Sequence, residues 1–189
     1  KGLGYSVDQA VLTQSYLRSE VALSTSIANY HIPVLVNDTQ NGSVRVNEKR
    51  LNLQDIFITT EIGVYIGVGT GTNTASKLYT YPNPQTFTTT TSTDLWSIYN
   101  GYLNLAVNNQ QILPAWDVLR HLYIPQTQRG VGITAQTIFP IDQADLSEQP
   151  YYPVEPNIVM NGAANINFQL TANGAPATIL SNSFIAVVQ

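Results

Sequence analysis

Along most of the chain, apolar and polar residues alternate one for one instead of recurring at every third or fourth position. That period belongs to strands, whose successive side chains point to opposite faces. The longest such run is Asp55 to Val68, DIFITTEIGVYIGV, in which Ile56, Ile58 and Thr60 oppose Phe57 and Thr59. Gly63 is placed to bend it. Val21–Ile27 and Tyr30–Val36 also read as strands, the second interrupted by Pro33, which cannot donate to a ladder and so predicts an edge or a bulge. Ser43–Val46 is a short alternating piece, and Lys77–Tyr81 and Gln85–Thr91 are held apart by Pro82-Asn83-Pro84. Tyr102–Val107, Val131–Phe139, Ala164–Leu170 and Ala177–Val188 complete the set.

Turn chemistry separates these runs. Asn-Gly occurs at Asn41-Gly42, Asn100-Gly101, Asn161-Gly162 and Asn173-Gly174. The pair tolerates positive φ and fits tight turns between antiparallel strands. At Asn100-Gly101 it instead ends a short helix, with Thr93-Asp94 as cap, Leu95, Ile98 and Tyr99 on one face, and Gly101 in the left-handed terminating position. A second short helix is predicted at Pro114–Leu122, with proline in its first turn and Trp116, Leu119 and Tyr123 on one side. Val7–Arg18 fits an amphipathic helix or an extended arm equally well. Many short strands, few helices and no fixed-period repeat predict one all-β domain, an antiparallel sandwich or barrel.

One loop invites a different reading. YIGVGTGTNTASKLY, Tyr65 to Tyr79, carries three alternating glycines and a lysine. A dinucleotide fingerprint needs G-x-G-x-x-G before a helix, but Thr72 stands where the third glycine belongs. A phosphate loop needs glycine directly before lysine and a hydroxyl directly after it, and Lys77 lies between Ser76 and Leu78. The next residues, KLYTYPNP, read as a strand and a proline turn, so no helix amino-terminus faces an anion. The stretch is a hairpin tip.

Composition changes the picture in one respect. Charged residues make up 11% of the 189 residues, against about 25% in an average domain. Eight basic and twelve acidic side chains give a net charge of −4, which argues against a nucleic-acid surface. Polarity comes from Asn, Gln, Thr, Ser and 11 tyrosines, and 43% hydrophobic content suits a packed core. A surface of amides, hydroxyls and phenols suits packing against further copies, where charge is costly to desolvate. There is no cysteine, so disulfides and thiolate metal sites are excluded. No apolar run approaches the roughly 20 residues of a membrane helix.

Candidate chemistry is sparse. His31 lies within a predicted strand and reads as a packing or hydrogen-bonding residue. Asp117 and His121, four apart, make at most half a metal site and read as a surface contact on the predicted helix. IDQADLSE offers Asp142, Asp145 and Glu148 at three-residue spacing without the glycine a calcium loop needs, so it reads as a solvated turn. No G-x-S-x-G elbow occurs. A carboxylate pair drawn from Asp55, Glu61 and Asp117 would require the fold to bring distant strands together. Catalytic, cofactor and metal roles are therefore assigned to no residue. The rings of Tyr5, Tyr16, Tyr65, Tyr79, Tyr81, Tyr99, Tyr102, Tyr123, Tyr151, Tyr152, Trp96 and Trp116 divide between core packing and exposed anchors for sugars or neighbouring subunits. YPVEPN, Tyr152 to Asn157, reads as an extended loop lying over a neighbour or the sheet.

DIFITTEIGVYIG, the segment LWSIYNGYLNLAVNNQQILPAWDVLRHLYIPQTQ from Leu95 to Gln128, and the stretch before the first strand together resemble bacteriophage capsid proteins built on the jelly roll. The resemblance implies a two-sheet β-sandwich with one or two short helices in loops, an N-terminal arm over residues 1–20 and a single domain over 21–189. It implies a virion structural subunit that meets copies of itself and other virion proteins, with no catalytic residues, no cofactor and no small-molecule substrate. Residues 1–20 contain only Lys1 and Arg18 as basic side chains, which argues against a genome-binding arm. A carbohydrate- or host-surface-binding module, such as a spike or adhesin domain, is the alternative expectation.

Overall fold

The computed structural model describes residues 12–34, 51, 54–68, 78–80, 93–122, 150–176 and 183–189. Its strands are β1 (Arg18–Ala22), β2 (Asn29–Pro33), β3 (Ile56–Val68), β4 (Leu78–Tyr79), β5 (Tyr102–Val107), β6 (Gln110–Asp117), β7 (Tyr152–Asn161), β8 (Ile166–Thr171) and β9 (Ser183–Val188). A helix α1 (Thr93–Tyr99) and a 3-10 turn (Val118–His121) are the helical pieces among the described residues. One sheet runs β1-β9-β3-β4, with β7 also paired to β3, and the other runs β2-β8-β5-β6. Every pairing is antiparallel.

The two sheets face each other across one apolar core. Period-two burial is plain in β8, where Ile166, Phe168 and Leu170 point inward and Asn167, Gln169 and Thr171 do not. They meet Tyr30 and Ile32 of β2, Leu103 and Leu105 of β5, and, from the facing sheet, Ile62, Val64, Ile66, Ile185 and Val187 in a single cluster. This is the antiparallel sandwich that alternation predicts. On the reverse face of the first sheet, Tyr65, Leu78 and Val188 form a smaller cluster with Tyr151, whose ring meets Tyr65 edge-on at 5.8 Å.

The 13-residue β3 changes partners along its length. Its first half pairs with β7 from Ile56↔Asn161 to Ile62↔Tyr152, and its second half with β9 from Gly63↔Val188 to Val68↔Ser183. Gly63 marks the change, and its missing side chain leaves room for the rings of Tyr65 and Tyr151, 2.7 and 3.2 Å from where a Cβ would sit. The segment YPVEPN, expected as an extended loop, lies within β7: Tyr152 and Pro153 pair with β3, and the remaining four residues bulge from the ladder. Its prolines are accommodated because the register shifts between Thr59↔Ile158 and Glu61↔Pro153, leaving Val154 to Asn157 opposite Thr60 alone. The Glu155–Pro156 bond in that bulge is cis.

Several local expectations are corrected. The strand expected at Val21–Ile27 forms earlier, at Arg18–Ala22, because β9 fixes the register from Arg18↔Val188 to Ala22↔Phe184. Pro33 ends β2, which lies at a sheet edge as a strand proline requires. α1 forms where expected, with Ile98 and Tyr99 fully buried and the Tyr99 hydroxyl donating to the Val64 carbonyl at 3.2 Å. Gly101 does not take a left-handed conformation. It is needed for closeness, since a Cβ there would run into the Thr171 carbonyl oxygen. Asn161-Gly162 links β7 to β8, strands of different sheets, not two arms of a hairpin. β3 and β4 are antiparallel partners through Ile66↔Tyr79 and Gly67↔Leu78, which frames the glycine-rich stretch as a hairpin, its tip lying outside the described residues. The strands expected at Ser43–Val46, Gln85–Thr91 and Val131–Phe139 lie outside them too, as does the Asn41-Gly42 turn.

Candidate interaction site

The sequence LNLAVNNQQIL turns back on itself at Asn108 and Asn109, whose φ values of 50° and 63° are those of a type I′ turn. Asparagine tolerates this region, and the turn's twist matches the strands it joins. Val107 therefore faces Gln110, and residues 110–117 become a strand instead of the first turns of a helix. Pro114 sits in β6, the edge of its sheet, where a missing donor costs least. The Pro114–Leu122 helix expectation is thus corrected to a strand followed by one 3-10 turn. Asp117 starts that turn by accepting from the Leu119 amide at 3.0 Å, the role of a capping carboxylate.

The turn carries His121 into the protein. Its exposure is 0%, so both ring nitrogens need partners. Nδ1 lies 2.9 Å from the Pro150 carbonyl, which only accepts, and Nε2 lies 2.8 Å from the indole nitrogen of Trp116, which only donates. The partners assign the proton to Nδ1 and the lone pair to Nε2, a neutral ring. Burial lowers the pKa to about 4, assisted by the Arg120 charge and opposed by the Pro150 bond and Asp117. The Tyr152 ring meets the imidazole edge-on at 5.7 Å. Over this assembly lies Arg120, its guanidinium carbon 4.3 Å from the Trp116 ring centroid and 5.6 Å from that of Tyr152. Leu119, Arg120 and Tyr152 are exposed. The result is a rigid apolar and cationic surface patch anchored by a buried histidine.

A second surface feature lies farther along the ribbon that β3 makes with β7. Ile58 faces Val159 in register, and both stand outside, beside Ile56, while Phe57, Thr59, Ile158 and Met160 fill the inner side. The exposed Asp55 precedes this strip, whereas the exposed Glu61 and Glu155 lie toward the Tyr152 end of the ribbon.

The fold disperses the candidates named from sequence. Asp117 and His121 do not form a ligand pair, because the carboxylate caps the turn and the imidazole faces Trp116 and Pro150. His121 is buried, not the surface residue expected. His31 is exposed on β2, with Nδ1 3.5 Å from the Asn167 amide nitrogen. Asp55 and Glu61 lie six residues apart along one extended segment, about 20 Å at strand rise, too far for the carboxylate pair of a glycosidase. Asp142, Asp145 and Glu148 lie outside the described residues. Among the described residues no three His, Cys, Asp or Glu side chains converge as metal ligands, and no helix is long and apolar enough to cross a membrane. Of the rings, Tyr30, Tyr65 and Tyr99 are buried, whereas Tyr16, Trp96, Tyr102 and Tyr152 are exposed. Sequence reasoning missed the Trp116–His121 bond and the Asn108-Asn109 turn. The second was legible as paired asparagines between alternating runs. Comparison with protein-family models, curated proteins and solved structures finds no match.

Proposed function

We propose that this chain is a structural subunit of a bacteriophage virion, a capsid or capsid-associated protein of the jelly-roll type that assembles with copies of itself and other virion proteins. One observation supports the reading above all others, the nesting of strand pairs. With the two-residue β4 set aside, first pairs with last (β1 with β9) and second with second-last (β2 with β8). Third pairs with third-last (β3 with β7), and the middle two pair with each other (β5 with β6). A long antiparallel double ribbon rolled over a core generates this nesting, and viral capsid domains use it, as do lectins and cupins. Fold alone does not choose among those functions. The low charge and the exposed apolar side chains at Ile56, Ile58, Ile112, Leu119 and Val159 favour a subunit that buries neutral surface against neighbours.

The carbohydrate-binding alternative draws on the exposed rings. Tyr16, Trp96, Tyr102 and Tyr152 come from four separate segments, and the Trp116 ring carries the Arg120 guanidinium. Light scattering and native mass measurement test the proposal. The expected result is concentration-dependent association of the chain, alone or mixed with the other virion proteins. A strict monomer under both conditions, together with saturable glycan binding, would replace it with the alternative.

A further inference from the structure

The sheet β2-β8-β5-β6 has two edges, and they are built differently. β6 is interrupted: Pro114 lies within it, its register on β5 shifts twice, and the Gln111 side-chain amide donates to the Pro114 carbonyl at 3.3 Å. Prolines, bulges and charges are the usual guards of a free edge. β2 has no bulge, pairing with β8 without a shift from Asn29↔Thr171 to Pro33↔Asn167, and its proline stands at the last position. No Asp, Glu, Lys or Arg lies between Glu20 and Asp38, so no such charge guards it either. Just ahead of the strand, Ile27 is 43% exposed.

The register fixes which main-chain groups this edge presents. The Ala172 amide donates to the Ala28 carbonyl at 2.7 Å, and the Val34 amide to that of Ile166 at 3.0 Å. Bonded pairs in an antiparallel ladder recur at every second residue, so Ala28, Tyr30, Ile32 and Val34 turn their main-chain groups to β8. Asn29, His31 and Pro33 turn theirs outward, where no strand pairs with β2 among the described residues. Their side chains are exposed as well. The edge thus offers amide donors at Asn29 and His31 and carbonyl acceptors at all three.

We infer that a second copy adds its own β2 to this edge, antiparallel across a two-fold axis at His31, so that two four-stranded sheets become one. This deepens the virion-subunit reading and rests on it. The donor pattern selects the occupant. With His31 opposite the partner's His31, each His31 amide meets the other's carbonyl, and each Asn29 amide meets the Pro33 carbonyl across the axis. Every open donor then has an acceptor. Pro33, which has no N–H, is asked only for its carbonyl, and the Asn29 carbonyl alone is left to water. No like charges oppose each other, because the strand carries no Asp, Glu, Lys or Arg. Main-chain bonds of this kind are the means by which a strand is added to an open sheet. A surface that meets its own copy closes at a dimer, and other surfaces carry any further growth.

Hydrogen exchange followed by NMR tests the edge residue by residue, and sedimentation velocity reads the mass. The Asn29 and His31 amides, open in the single chain, are expected to become protected as concentration rises and the dimer forms. His31→Pro removes the central donor, which faces away from β8, and should leave a monomer at concentrations where wild type is dimeric. Circular dichroism with thermal melting verifies that this variant is folded. His31→Lys and His31→Glu keep the donor and form a second arm that does not depend on the proline. Each alone sets like charges directly opposite across the axis and should dimerise about two- to fivefold more weakly than wild type. Their equimolar mixture pairs opposite charges and should regain wild-type association. A dimer whose Asn29 and His31 amides stay unprotected overturns the inference and leaves the virion reading standing. So does a dimer that folded His31→Pro leaves intact, or a Lys and Glu mixture no stronger than either variant alone. A wild type monomeric by itself also overturns it, and one monomeric among the other virion proteins as well takes the parent reading down with it.

Discussion

Acid should unlock the fold at His121. The ring is neutral, fully buried and bonded at both nitrogens, so a second proton at Nε2 would set a donor against the Trp116 donor. Its pKa in the fold is about 4, against 6.5 for the unfolded residue, with burial as the largest cause. A lowered histidine pKa means that the fold favours the neutral form. The contribution is whole above pH 6.5 and is lost as the pH falls through about 4. In full it is worth about 3 kcal/mol at ~1.4 kcal/mol per pKa unit, and most of it is gone by pH 4.5. Urea unfolding at pH 7.5 and 4.5 measures it, with His121→Gln as control. Glutamine keeps an acceptor and a donor but does not titrate. The variant is expected to start weaker at pH 7.5 and to lose about 2 to 3 kcal/mol less than wild type on acidification. Parallel losses in the two proteins would refute the reasoning, because the acid sensitivity would then belong to other groups.

Three further outcomes are expected. Trp116→Phe keeps the apolar bulk but strands the Nε2 acceptor of His121, and should cost about 1–3 kcal/mol in the same unfolding assay at neutral pH. Phe168→Ala opens a cavity at the centre of the core and should cost about 3–5 kcal/mol, whereas Trp96→Ala on the surface should stay within ~0.5 kcal/mol. Gly101→Ala drives a methyl into the Thr171 carbonyl oxygen and places it 2.9 Å from that of Ile98, both backbone atoms. One strand end must move, so melting should fall by roughly 6–12 °C for a cost near 3 kcal/mol. An unchanged melt at Gly101→Ala would mean that the α1–β8 contact is looser than its geometry states.

Alternation was sufficient to read β3, β5 and β8, because a strand buried on one face repeats every second residue whatever it packs against. α1 was equally local, a short apolar face closed by Asn100-Gly101. β7 was illegible because two prolines and a four-residue bulge erase the period, and only pairing with β3 makes the segment a strand. Pro114 to Leu122 read as one helix because a first-turn proline and the four-residue spacing of Asp117 and His121 are helix signals. The Asn108-Asn109 turn overrode them by committing Gln110 to Val107.

The sequence by itself determined the material of this protein: neutral polar surface, strands of period two, turns at asparagine and glycine, and no thiol chemistry. Those properties depend on each residue and its near neighbours. Only the tertiary structure decided which strands meet, that His121 is buried against Trp116 and Pro150, and that Ile58 lies beside Val159 about a hundred residues away in the chain. Pairing across such distances is set by how two whole sheets share one core, a constraint that no local window of residues contains.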